Sequence, residues 1–229
     1  MHFSNKRSTY NLDITILDTK IEEKDVVTFL GVRIDNKLTW KQHLIHICDK
    51  ISKSIAILYK IRHSFPNYIL RMIYMSLIYT YINYCNMIWG SAYECHLNPL
   101  VVLQKKAVRL INNSEYRDHT APIFHSLKLL PVSKVFHLNC LVFIYKCLFN
   151  NSSPMMKHKI LKNCPTHEQD TRYRHQIRPP RARLELCRKS YLNQSICFWN
   201  NLDERTQDSK SLDIFRSRIK YNLLEGTNH

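Results

Sequence analysis

Residues 28–62, TFLGVRIDNKLTWKQHLIHICDKISKSIAILYKIR, change their hydrophobic period part-way along, and the rest of the chain can be read outward from that switch. Up to Ile34 the run Val26-Val27-Thr28-Phe29-Leu30-Gly31-Val32-Arg33-Ile34 is that of a strand. Upstream, Leu12, Ile14 and Ile16 alternate with Asp13 and Thr15, which predicts a β-hairpin whose longer loop carries Glu22-Glu23-Lys24-Asp25. Gly31 is one of only three glycines in 229 residues, and in a strand it implies a bulge, tight packing against the next helix, or close backbone approach to a ligand. Asp35-Asn36-Lys37 reads as a turn, and Thr39 with Gln42 three residues on reads as a capping box.

Beyond it the period is helical. Leu44, Ile47, Ile51, Ile55 and Leu58 form one apolar stripe, with Lys41, Lys50, Lys53, Lys60 and Arg62 kept off it. Pro66 is expected to end this helix. A second is expected from Ile69, burying Ile73, Leu77, Tyr81, Tyr84 and Ile88, and a third from Leu97 to Asn112, burying Leu100, Leu103, Ala107 and Leu110. Three helices with short connections predict an antiparallel bundle. Pro122 and Pro131 bracket a short apolar stretch, Val132 to Phe149 reads as a strongly buried helix, and Asn150 to Pro154 is a breaker cluster. Residues 155–183 read as an irregular basic linker, and Ser190–Leu202 and Ser211–Leu224 resume helical spacing. The expected fold class is therefore α+β and predominantly α: an N-terminal β-hairpin, a helical bundle and further helices. The segment boundaries are 1–38, 39–115, 116–154, 155–189 and 190–229.

A hydrophobic fraction of 45% is enough for a sizeable core. Thirty-four Lys and Arg against 18 Asp and Glu give a net charge of +16, which predicts a polyanionic partner, nucleic acid or an anionic membrane. The excess lies mainly in residues 41–130 and 155–190; residues 1–40 are neutral. The longest uncharged window, Met72 to Tyr93, holds five tyrosines, two asparagines, Ser76 and Thr80, which favours a buried helix over a membrane span. Eight dispersed cysteines fit a reducing, intracellular setting, cytoplasm or nucleus, better than a disulfide framework. With three glycines no Gly-rich phosphate loop can be built, and no Gly-x-Ser-x-Gly is present. His158, Cys164, His167 and His175 offer a loose metal-ligand set, with a spacing that matches no zinc knuckle. Trp40, Trp89 and Trp199 sit at helix boundaries, where packing is the ordinary role.

The stretch quoted above, followed by YMSLIYTYINYCNMIWGSAYECHLNPLVVLQKKAVRLI, YRDHTAPIFHSLKLLPVSKVFHLNCLVFIYK and SICFWNNLDERTQDSKSLDIFRSRIKYNLL, resembles the region after the polymerase site in reverse transcriptases of non-LTR (LINE, jockey-like) retrotransposons. The blocks occur in family order from about Phe3 to Leu224. The resemblance implies the end of a palm, a helical thumb and a basic C-terminal extension of an RNA-directed DNA polymerase. It also implies that the chain begins just downstream of the active site, since MHFSNK resembles the strand after the catalytic hairpin. Two-metal phosphoryl transfer requires paired carboxylates, and the chain contains no Asp-Asp pair, so no nucleotide addition is expected from it alone. The Mg²⁺ of the family would belong to the missing palm site, and no cofactor is expected in this chain.

By the same resemblance Phe29, Leu30 and Gly31 correspond to a primer-grip turn. Lys41, Lys50, Lys53, Lys60 and Arg62 correspond to a thumb helix tracking a duplex backbone, although a charged helix face is ordinarily only solvated. Lys105, Lys106 and Arg109 fall in the family's Gln-Lys-basic-Ala-x-Arg block, and His119-Thr120-Ala121-Pro122 in its His-Thr-x-Pro turn, with Thr120 as the expected N-cap. The implied partners are RNA, an RNA/DNA hybrid or primer-template, with complementation by an intact reverse transcriptase and no membrane. The alternatives are a domesticated or non-functional remnant acting as a protein-interaction module, and a membrane-associated basic protein.

Overall fold

The structure is a computed structural model that describes residues 1, 3, 14–16, 19, 20, 22–149, 154–161 and 177–226. Its two small sheets are antiparallel pairs: β1 (Thr15–Ile16) with β2 (Thr19–Lys20), and β3 (Val26–Phe29) with β4 (Val32–Asp35). The expected pairing of residues 12–16 with a continuous strand 26–34 is therefore corrected. That run folds back on itself, Phe29 opposite Val32, with Leu30 and Gly31 as a two-residue turn. Both turn residues have positive φ, 47° at Leu30 and 79° at Gly31, as a type I′ hairpin requires. Gly31 is there for its backbone angle: a Cβ would lie 3.8 Å from Tyr84, in ordinary contact.

The passage from β4 into α1 (Lys41–Ile61) differs from the capping box read in Thr39 and Gln42. Trp40 holds the N-cap position in left-handed conformation (φ 64°) without a side-chain cap. The organiser is Asp35, whose carboxylate accepts the backbone N–H groups of Lys37, Thr39 and Trp40 at 3.2, 2.9 and 2.8 Å. Three charge-assisted bonds offset the left-handed backbone at Leu38 and Trp40. In α1 the expected stripe from Leu44 to Leu58 is buried. The helix ends at Ile61, before Pro66, which serves instead as the N-cap of α2 (Asn67–Tyr74).

From α2 the chain runs through a π-helical turn, Met75–Tyr79, into α3 (Thr80–Asn83), then α4 (Asn86–Trp89). The buried face is Leu70, Tyr74, Ile78, Ile82 and Trp89; Leu77, Tyr81, Tyr84 and Ile88 of the expected stripe are exposed. Each four-residue step overshoots a 3.6-residue turn by about 40°, and the wider π turn absorbs that drift. Both stripes are apolar with nearly the same spacing, so local sequence does not choose between them. Extended Tyr84 and left-handed Cys85 break α3 from α4.

α5 (Glu94–Asn112) packs on α1 and buries Leu100, Ala107 and Leu110 as expected, while Leu103 is half-buried and Gln104 is inside. α6 (Thr120–Ser126) begins at Thr120, but His119 holds the cap position and offers no side-chain cap. α7 (Val132–Phe149) is apolar around most of its circumference and is packed by α4, α10 (Tyr191–Asn200) and α12 (Leu212–Glu225). Among the described residues it is the one helix long and apolar enough to cross a membrane, and here it forms the centre of the core. The uncharged window Met72–Tyr93 is broken into short helices.

The expected linker at 155–183 is helical at its start, α8 (Pro154–Leu161), because Met156 and Ile160 reach the core. Cys164, His167 and His175 lie outside the described residues. Two single turns, α9 (Glu185–Arg188) and α11 (Glu204–Gln207), flank α10. Tyr145 of α7 donates its hydroxyl to the Ser209 carbonyl at 2.7 Å and stacks on Phe215, with centroids 4.5 Å apart. The C-terminal helices thus share one hydrophobic cluster with α1, α5 and α7.

Candidate nucleic-acid interface

The hairpin turn projects its two apolar residues outward: Phe29 is 64% exposed and Leu30 74%. Its position is set by a hydrogen bond from the Tyr84 hydroxyl to the Leu30 carbonyl, 2.6 Å. Between turn, α1 and α3 lies a groove of about 320 Å³, lined by Gly31, His43, His46, Thr80, Tyr81 and Tyr84 among others. Left-handed Cys85 and the end of α3 expose Tyr84 to the turn, so the break in the helix and the placement of the turn are one feature.

On α1, Lys41, Lys50, Lys53 and Lys60 are exposed and opposite or beside the buried stripe. Lys53 and Lys60 are seven residues apart, about 10 Å along one side of the helix, so successive charges can follow a phosphate path. Arg62 differs: its Nε donates to His63 at 2.9 Å and its guanidinium lies 4.7 Å above the Tyr59 ring. On α5, packed against α1, Lys105 and Lys106 are exposed. Arg109 is occupied within the fold, its Nε donating to the Asp118 carbonyl at 3.0 Å and its guanidinium 5.8 Å over Tyr116. A paired Lys105–Arg109 clamp would therefore have to release the 113–118 loop. Asp35, whose carboxylate orients hairpin against helix, was the functional side chain that sequence reading passed over; an Asp ending a strand before Asn-Lys is the signal for it.

His43 locks the turn region to the bundle. It is 2% exposed, its Nδ1 accepts the Arg33 N–H at 3.3 Å, and its ring meets Trp89 edge-on at 5.9 Å. Accepting at Nδ1 leaves the proton on Nε2, which is buried with no partner. Burial first, then the charges of His46 and Arg33, lower its pKa from 6.5 to about 4. Above pH 6.5 the ring is neutral in both folded and unfolded chains. As pH falls from 6.5 to 4 the unfolded chain takes up a proton that the folded one refuses, so stability is lost across that window. Roughly 2 kcal/mol should be lost through His43 by pH 4.5, with His137, lowered to about 4 by burial and Lys134, adding to the slope. Urea titrations at pH 7 and pH 4.5 check this. His43→Asn, whose Oδ1 can take the Arg33 N–H, should flatten the difference; an equal loss in the variant would exclude His43 as the source.

No protein-family model matches the chain, and no solved structure matches it. Over 122 residues, 52% of the chain, it is 25% identical to a Drosophila melanogaster protein described as a probable RNA-directed DNA polymerase from transposon X-element. The similarity supports a relationship to reverse transcriptases of transposons. The matched part is 13% of that protein's length.

Proposed function

We propose that this chain is part of the reverse transcriptase of a non-LTR, jockey-like retrotransposon and that it grips primer-template without carrying out the chemistry. The similarity to the X-element polymerase supports the family, and one structural observation carries the grip: an exposed, glycine-built turn set against α1 and α3, with exposed lysines along α1. Backbone at such a turn can approach a strand closely, while Lys41, Lys50, Lys53 and Lys60, with Lys105 and Lys106 on α5, neutralise phosphates without reading bases. The partner is an RNA/DNA hybrid or a structured RNA, recognised by backbone and shape. The sequence has no Asp-Asp pair, so its role is to hold substrate, and Mg²⁺ chemistry would need paired carboxylates from elsewhere.

Fluorescence anisotropy of the full chain with a labelled RNA/DNA hybrid at low and moderate salt tests this. Affinity should fall steeply with salt, and K50Q/K53Q/K60Q should weaken low-salt binding about tenfold and reduce the log–log salt slope by roughly two to three. Unchanged affinity in a variant of native helix content would show that the face is only solvated. Absence of low-salt binding by the parent chain would favour a protein-interaction role, for which exposed Phe29, Leu30, Ile57 and Tyr59 would be the surface.

A further inference from the structure

Two adjoining chambers open on the other flank of the 75–83 run, where it meets α7 and α12. The larger, about 520 Å³, is lined by Asn86, Phe143, Lys146 and Tyr191, and the smaller, about 250 Å³, by Tyr79, Lys128 and Lys220. Asn83, Asn139 and Arg216 line both, with the Asn139 amide donating to Asn83 Oδ1 at 3.0 Å, so the chambers form one cleft with a shared polar partition.

Their chemistries differ in a way that matches the two ends of a nucleotide. The larger chamber offers aromatic surface, Phe143 and Tyr191 meeting edge-on at 5.4 Å, and amides able both to donate and to accept. Asn86, 1% exposed, borders this chamber with its Oδ1 packed beside Gly90. The smaller chamber is cationic. Lys128, Arg216 and Lys220 come from segments some 90 residues apart in sequence, and among the described residues no carboxylate lines either chamber. Burial, and then the like charges of Arg71 and Lys128, lower the Lys220 pKa. Lys128 is placed there by the left-handed C-cap that closes α6, with φ 52° and the Leu129 N–H on the Phe124 carbonyl at 2.9 Å. Cations held together without a counter-ion repel one another, and a bound anion would relieve that repulsion.

Resting on the reading of the chain as a nucleic-acid-gripping segment, we propose that this cleft captures one unpaired nucleotide of a single-stranded segment: the phosphate against Lys128, Arg216 and Lys220, the base against Phe143 and Tyr191 with its polar edge toward Asn83 and Asn139. A duplex cannot use the site, because its bases are stacked and their edges paired; a strand leaving the duplex can. The larger chamber is of a size that buries a ligand of nucleotide scale.

The test compares a blunt RNA/DNA hybrid with the same hybrid carrying a short single-stranded RNA overhang, by anisotropy on the full chain. The overhang should tighten binding about tenfold, and Arg216→Ala and Phe143→Ala should each abolish that gain while blunt-hybrid affinity stays near the parent value. Arg216 is exposed, so its variant is expected to fold even if Phe143→Ala does not. In a second measurement, 4-thiouridine placed in the overhang should photo-crosslink to the peptide carrying Phe143 or Tyr191. Equal affinity for the two hybrids, a gain that survives Arg216→Ala, or crosslinks elsewhere would overturn the site while leaving the duplex grip standing. Failure to bind either hybrid would overturn both.

Discussion

Replacing Gln104 by leucine is expected to cost about 4 kcal/mol, although the side chains are similar in volume and the site is 1% exposed. The amide of Gln104 serves three buried groups at once. Its Nε2 donates to the Tyr74 hydroxyl and to the Leu130 carbonyl, both at 2.9 Å, and its Oε1 accepts the Val132 N–H at 3.0 Å. It thereby joins α5 to α2 and to the start of α7. Leucine adds apolar burial but leaves a hydroxyl, a carbonyl and an N–H unpaired, each a desolvation cost of about 1–3 kcal/mol before local relaxation. Tyr74 is fully buried, and that burial raises its pKa well above the ordinary value, so ionisation offers no relief. Tyr74→Phe alone should cost about 1 kcal/mol, and the double variant should fall short of additivity by about the same amount, because the orphaned hydroxyl is then gone. Urea unfolding of the three variants measures this. A Gln104→Leu midpoint equal to that of the parent would show that the amide network contributes nothing.

Gly90→Ala is expected to cost about 3 kcal/mol by overpacking, lowering Tm by roughly 8 °C in a chain of this size. Gly90 has an ordinary helical φ of −67°, so its backbone would accept alanine. Space is what it lacks. A Cβ would stand 2.5 Å from the Asn86 carbonyl oxygen, 2.6 Å from Phe136 Cδ2 and 2.9 Å from Asn86 Oδ1. The carbonyl cannot swing away, because it accepts the Gly90 N–H at 2.6 Å and closes α4. The Phe136 ring can be removed, so Phe136→Leu on the Gly90→Ala background should recover part of the loss, whereas the same change in the parent should only destabilise. Thermal unfolding of the single and double variants distinguishes the outcomes, and an unshifted Gly90→Ala would refute the close approach. The glycines at 31 and 90 thus answer different needs, φ at the first and room at the second.

Where one face of a segment was apolar and the other charged, the sequence was a sufficient guide. α1 and α5 each carry a single apolar stripe, and only that stripe can be buried without burying lysine. α7 is apolar nearly all round, so its central position follows from composition. The exposed lysines of α1 are legible for the same reason: Lys41, Lys50, Lys53 and Lys60 are what the stripe excludes.

Local sequence does not decide the structure where two solutions are equally apolar or where a contact spans the chain. In residues 67–89 two interleaved apolar stripes compete, and the choice of Leu70, Tyr74, Ile78 and Ile82 depends on α1, α5 and α7 and on a π turn that no spacing announces. At residues 28–34 an unbroken β-type run concealed a two-residue turn, because Leu30-Gly31 lacks the Asn or Asp that usually marks one. Asp35 binds the N–H groups of Lys37, Thr39 and Trp40 and so fixes the turn before the helix, while of the expected Thr39 cap only a 3.4 Å bond from the Lys41 N–H to the Thr39 hydroxyl is formed.

Local periodicity and charge were therefore enough to establish a mainly helical, strongly basic chain with an N-terminal hairpin, since both properties arise within a few turns of sequence. Packing alone decided which stripe of the second helical run faces inward, and it alone brought Lys128, Arg216 and Lys220 to one cleft, because burial and repulsion act between groups that are neighbours in space and strangers along the chain.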